Sequence, residues 1–113
     1  MINTFDILSE VLNEASKQFG GTWKVSQNKL DVLKQYCAAI DLLCKEVDAS
    51  ALETSVDDIK MTISIKVQCP KVVIKTKENL FYMLISRTVR TDFSQVDGDL
   101  LIDFVFPSIW EHI

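Results

Sequence analysis

From Ile59 to Cys69 apolar and polar residues alternate without interruption. Ile59, Met61, Ile63, Ile65, Val67 and Cys69 are apolar, and Lys60, Thr62, Ser64, Lys66 and Gln68 stand between them. A period of two puts the first set on one face of an extended strand and the second on the other. The apolar face needs a cover. The first half of the chain offers two amphipathic helices to provide it.

The first is expected over about Asn3 to Phe19, where Phe5, Leu8, Leu12, Ala15 and Phe19 repeat at three and four residues. Asn3 or Thr4 can cap its start, and Gly20-Gly21 supplies a left-handed stop. Asp6, Glu10 and Glu14 follow one another along the opposite side, a solvated face more than a docking surface. After a connection holding Trp23 and Val25, the second helix spans about Asn28 to Glu46. Leu30, Leu33, Cys37, Ile40, Cys44 and Val47 make its seam, and Tyr36, Ala39 and Leu43 widen it. Matching seams and a short connection predict an antiparallel pair.

Asp48 to Asp58 reads as an acidic joint, with Ala49 to Leu52 as a last helical turn. Pro70 ends the alternating strand because proline cannot donate to a ladder. Val72 to Lys75 then reads as a second strand, with Val67 opposite Val72 and Ile65 opposite Ile74. In 77–90, Leu80, Phe81, Leu84, Ile85, Thr88 and Val89 keep helical spacing. A strand there would set Arg87 among Phe81, Met83, Ile85 and Val89, so helix is preferred. Val96-Asp97-Gly98-Asp99 is a tight-turn signal. It pairs Phe93 with Ile102 and Thr91 with Phe104 in a hairpin of about 90–96 with 99–106, ended by Pro107. Ser108 to Ile113 is left as a tail. The expected fold is α+β, in one domain spanning 1–113. An N-terminal antiparallel helix pair packs on one face of a mostly antiparallel sheet, with a third helix at 77–90.

Composition narrows the class of function. With 113 residues, 48% hydrophobic and 25% charged, the chain reads as an ordinary globular protein. No apolar stretch reaches the roughly 18 residues a membrane helix needs. The start, Met1 to Asp6, lacks the basic and apolar blocks of a signal peptide, so a cytoplasmic location is expected. The net charge of −4 is uneven. Residues 1–58 hold five Lys/Arg against ten Asp/Glu, and 59–113 hold seven against six. The acidic half argues against duplex DNA and anionic membrane as partners.

Candidate chemistry is thin. Three cysteines without a close pair do not form a disulfide framework, and Cys37, Cys44 and Cys69 read as small buried hydrophobes. His112, beside Glu111, is the only imidazole. Neither has the spacing of a metal site. Cys69 is the one cysteine placed to act as a nucleophile. In the expected hairpin Asp92 lies opposite Asp103, and paired carboxylates can share a proton or hold a cation. No glycine-rich turn precedes a helix, so no phosphate loop is expected. Lys60, Lys66, Lys71 and Lys75 would make a basic sheet face fit for an acidic protein. It has few aromatic residues on which nucleic acid bases could stack.

The tail carries Ile109, Trp110 and Ile113, which either dock on the core or meet a partner. These observations favour a small non-catalytic cytoplasmic protein that acts by binding another protein. An immunity, antitoxin or phage-inhibitor role is compatible with them, and so is a homodimer. Ile109, Trp110, Ile113, Lys66 and Lys75 are its candidate interaction residues, and no cofactor is expected. The alternative is a small-molecule module with a pocket between helices and sheet lined by Trp23, Phe81 and Phe104. An enzyme using Cys69 or the Asp92/Asp103 pair comes last.

Overall fold

Asn3 opens the first helix, its side chain accepting from the Asp6 backbone N–H at 2.8 Å. In the computed structural model, which describes residues 3–47, 50–70 and 78–113, the helix α1 runs Thr4–Phe19. There follow β1 (Trp23–Val25), α2 (Gln27–Val47), β2 (Ser50–Val56), β3 (Ile63–Pro70), α3 (Glu78–Arg87), β4 (Arg90–Val96), β5 (Asp99–Phe106) and β6 (Trp110–His112). Ser26 caps α2, its carbonyl accepting from the Leu30 N–H at 2.9 Å. The two long helices run in opposite directions, because Thr4 at the start of α1 hydrogen-bonds Asp41 far along α2.

Four strands form one antiparallel sheet in the order β2-β3-β5-β4, and β1 pairs with β6 in a second, two-stranded one. The fold is therefore α+β as expected, with α1 and α2 packed on the sheet and 78–87 helical. Leu8, Leu12 and Ala15 of α1 and Leu33, Cys37, Ile40 and Leu43 of α2 meet Ile63, Ile65, Val67, Ile102, Phe104 and Phe106. Each such side chain contributes roughly 1.5–3 kcal/mol by leaving water. The hairpin at the end holds the expected register, Phe93 with Ile102 and Thr91 with Phe104. Asp97 and Gly98 both take positive φ, 49° and 87°, the geometry a two-residue turn between twisted strands requires.

Three expectations are corrected, and a fourth falls outside the described residues. The alternating strand starts at Ile63, not Ile59, and Ile59 is 92% exposed. The Asp57 carboxylate accepts from the Ile59 and Lys60 N–H groups, both at 2.8 Å. This local bonding draws the backbone out of the ladder, and Met61 then takes a φ of 58°. The acidic joint is not a helical turn from 50 onward; Ser50–Val56 is strand, paired with β3. Thr54 and Val56, β-branched and half-buried, suit that edge. Ala49 lies outside the described residues.

The Val72–Lys75 strand also lies outside them. Both edges of β3 are occupied: Val67 faces Ala51 and Ile102, and Ile65 faces Thr54 and Phe104. The tail, finally, does not fray. It is β6, with Trp23 opposite His112 and Val25 opposite Trp110. The Ser26 N–H donates to Ile109 at 2.8 Å and the Ile113 N–H to Thr22 at 2.9 Å, extending the ladder at both ends.

Candidate functional site

Pro107 ends β5 and sends the chain across the start of α2, and a groove opens between them. Its floor is Leu33 and Ile109, both buried, and the ring of Phe106. Tyr36 stacks on Phe106 with centroids 5.1 Å apart and planes 15° apart, which makes one aromatic wall. Val32, 41% exposed, forms the rim with Pro107, and Asn28, Lys29 and Ser108 close the end. The cleft holds 310 Å³, at the lower bound of ligand pockets. A second cleft, which shares Val32 and Tyr36 with the first, lies between α2 and α3 along Gln35, Met83 and Arg87. Lys29 at one end meets Glu111 at 3.7 Å.

The widened stripe of α2 carried a trace of this in Tyr36, but Val32, Met83 and Pro107 become neighbours only in the fold. The expected pocket residues do not converge. Phe104 is wholly buried and stacks on Phe106, Phe81 is buried beneath α3, and Trp23 belongs to the two-stranded sheet. Phe81 and Phe104 fill the core, and Trp23 packs half-buried against it.

The tail takes the first of its two alternatives. Trp110 is 3% exposed, its Nε1 donates to the Ser16 hydroxyl at 3.0 Å, and its ring meets Phe19 edge-on at 5.1 Å. Ile109 is buried beside it. Of the three tail residues offered as an interaction surface only Ile113 is open, at 70% exposure. A contact built on Trp110 is corrected accordingly, because the ring is already covered.

The outer face of the four-stranded sheet carries mixed charge. Lys66 stands 3.6 Å from Glu53 and opposite Asp103. Lys60 sits in the 57–62 loop, drawn there by Asp57, and Lys71 and Lys75 lie outside the described residues. The expected lysine face is therefore not assembled by Lys60 and Lys66. A polar cleft on this side gathers Ser55, Asp57, Thr62, Ser64, Lys66, Arg90 and Asp103 around Val105. Backbone N–H groups of Lys60 and Ile59 hold the Asp57 carboxyl below its ordinary range, helped by the charges of Lys60 and Arg90. Asp92 and Asp103 do lie opposite each other. Each is engaged by its own neighbour, Asp92 by the Arg90 Nε at 2.9 Å and Asp103 by the Ser64 hydroxyl.

The thiols have the character of core groups. Burial, reinforced by Asp41, pushes the Cys37 thiol up to about 12. Burial and then Asp99 raise that of Cys69. Cys69 is in β3, whereas His112 is in β6 against Trp23, so sheet position separates thiol and imidazole. Among the described residues no three His, Cys, Asp or Glu groups are placed to hold a metal ion. No described helix is long and apolar enough to cross a membrane.

No protein-family model matches the chain, and no curated protein or solved structure matches it either.

Cys37 gives the site description a direct check. Native protein at neutral pH should leave it unlabelled by a maleimide that reacts promptly with the unfolded chain, since a protonated buried thiol is inert. A raised folded value means that its contribution to stability is complete below the ordinary 9.0 and is lost as pH climbs toward 12. Melting temperature should therefore fall over that interval more steeply for wild type than for Cys37→Ala. Equal slopes would show that the thiol titrates freely in the fold.

Proposed function

We propose that this is a non-catalytic binding protein whose working surface is the groove along α2, and that an apolar segment of a protein partner enters it. One observation carries the reading. Val32, Leu33, Tyr36, Phe106, Pro107 and Ile109 line an open cleft, and Val32 and Tyr36 also line a neighbouring cleft with Met83 on α3. An open apolar trough between helix and chain is the kind of surface that takes anchoring side chains of a partner. Lys29 and Arg87 flank it, which suits acidic residues beside the apolar anchor. Obstructing another protein by occupying one of its segments, as an immunity protein, antitoxin or phage inhibitor does, needs no chemistry beyond this. We place the protein in the cytoplasm, where thiols such as Cys37 and Cys69 stay reduced.

The second reading is a small apolar ligand, favoured by the stacked Tyr36–Phe106 wall. Val32→Glu separates these possibilities from a surface without function. Val32 is open enough for the variant to fold with an unchanged circular dichroism spectrum. A protein captured from host lysate by the wild type should be lost at least about tenfold on Val32→Glu, a difference of about 1.4 kcal/mol. If instead the dye 1-anilinonaphthalene-8-sulfonate lights up on wild type alone and no protein is captured, the small-ligand reading prevails. Undiminished capture by Val32→Glu would remove the groove from the account.

A further inference from the structure

Among the described residues α1 packs over β2, α2 over β2 and β3, and α3 over β5, so β4 is the strand with the least helical cover. Phe93 of β4 is paired with the buried Ile102 and so faces the helical side, yet it is 51% exposed. On α3, Met83 and Arg87 face α2. Helical spacing turns Ile85 to the opposite flank, with Tyr82 next to it. The Tyr82 ring is 62% exposed. Apolar surface thus collects at one end of the molecule, beside a strand edge.

Among the described residues that edge is unguarded. Edge strands usually carry lysine, proline, a bulge or a covering element. The other edge, β2, has a bulge between Ala51 and Glu53 and α1 packed on it. β4 reads Arg90-Thr91-Asp92-Phe93-Ser94-Gln95-Val96, with its charges confined to the first three residues and no break in its register with β5. Among the described residues no strand pairs with its outer side.

The turn decides which backbone groups that side presents. Val96 and Asp99 close the two-residue loop as a hydrogen-bonded pair, so Val96, Ser94, Asp92 and Arg90 direct their N–H and C=O to β5. The Val89 N–H, donating to Val105 at 2.8 Å beside the Arg90–Val105 pair, agrees with this phase. Thr91, Phe93 and Gln95 therefore present theirs to the open edge.

We propose that β4 pairs antiparallel with β4 of a second copy about a two-fold axis through Phe93. In this register Phe93 meets Phe93, Thr91 meets Gln95, Asp92 meets Ser94 and Arg90 meets Val96. Every outward N–H and C=O of the strand gains a partner, and no like charges oppose. Moving the axis to Asp92 would set two carboxylates face to face. Moving it to Ser94 would put Phe93 opposite Gln95 and leave Arg90 outside the ladder. The pairing joins two four-stranded sheets into one and brings the two uncovered rings together on the side of the helices. This surface is separate from the groove on α2, and it moves self-association from the C-terminal segment to β4.

Sedimentation of wild type, Phe93→Lys, Phe93→Cys and Ser94→Cys tests it. Wild type should sediment as a dimer. Phe93→Lys, which sets two ammonium groups against each other, should sediment as a monomer that keeps its circular dichroism spectrum and a cooperative thermal transition, with a melting temperature lowered by the lost association. In the hydrogen-bonded pair the two Cα atoms at position 93 would lie about 5.5 Å apart, within disulfide reach. Mild oxidation should therefore cross-link Phe93→Cys and leave Ser94→Cys and wild type uncross-linked. A monomeric wild type overturns the proposal, and so does a dimer that persists in Phe93→Lys. Cross-linking of Ser94→Cys in preference to Phe93→Cys overturns the register.

Discussion

Ile65→Asp is expected to abolish the cooperative thermal transition, and Lys66→Glu next to it to leave the transition in place. Ile65 is fully buried between Thr54 and Phe104 in the two central strands, under the helices. A carboxylate there has no cation or donor to pair with, and burying it costs several kcal/mol. That is comparable with the whole stability of a protein this size, roughly 5–15 kcal/mol. Lys66 points to the outer face, where its contact with Glu53 at 3.6 Å is half-exposed. Reversing that charge costs about 1 kcal/mol at most. Thermal denaturation followed by circular dichroism reads both. Equal damage from the two would mean that the helices cover the other face of the sheet.

Trp110→Ala should lower the free energy of unfolding by about 3–5 kcal/mol, the range for removing a buried aromatic side chain. The indole fills the space against Phe19 and satisfies its N–H on Ser16, so its loss opens a cavity and orphans no essential donor. Ending the chain at Pro107 should cost more, because β1 then loses its only strand partner among the described residues. Urea titration gives the numbers. A loss below about 1 kcal/mol for Trp110→Ala would mean that the segment frays and that β6 is not part of the folded core.

Periodicity carried most of the fold. Where one face is buried and the other wet, as in Ile63 to Cys69 or in α1, the spacing of apolar residues is enough to place the element. The Asp97-Gly98 turn did more, because a two-residue loop also dictates register, down to Asp92 opposite Asp103. The failures have different causes, none of which periodicity registers. At Asp57 a side chain bonds the next backbone amides and overrides a perfect alternation. At Ser50–Val56 a register shift between Ala51 and Glu53 interrupts the strand and with it any simple alternation. The pairing of β1 with β6 joins segments almost a chain length apart, and no local pattern announces it.

The candidate site was less legible than the fold. Cys37 and Cys69 could be read as buried from residue type, and Asp92 and Asp103 could be paired by register. The groove depends on where Pro107 sends the chain and on how closely α3 approaches α2. Val32 and Met83 are 51 residues apart in sequence and line one cleft only because two helices meet. Of the large aromatic residues Trp23, Phe81 and Phe104, the last two go to the interior and Trp23 lies half-buried against it. What remains exposed is what the packing leaves over, and that is a property of the assembled layers.

The most direct measurement is photo-cross-linking in living cells with p-benzoylphenylalanine at position 32, beside the same substitution at Glu14 on the solvated side of α1. The account predicts a discrete heavier product from position 32 that contains a second, different protein, and none from position 14. Products from both positions alike, or from position 14 alone, would contradict a binding surface on α2.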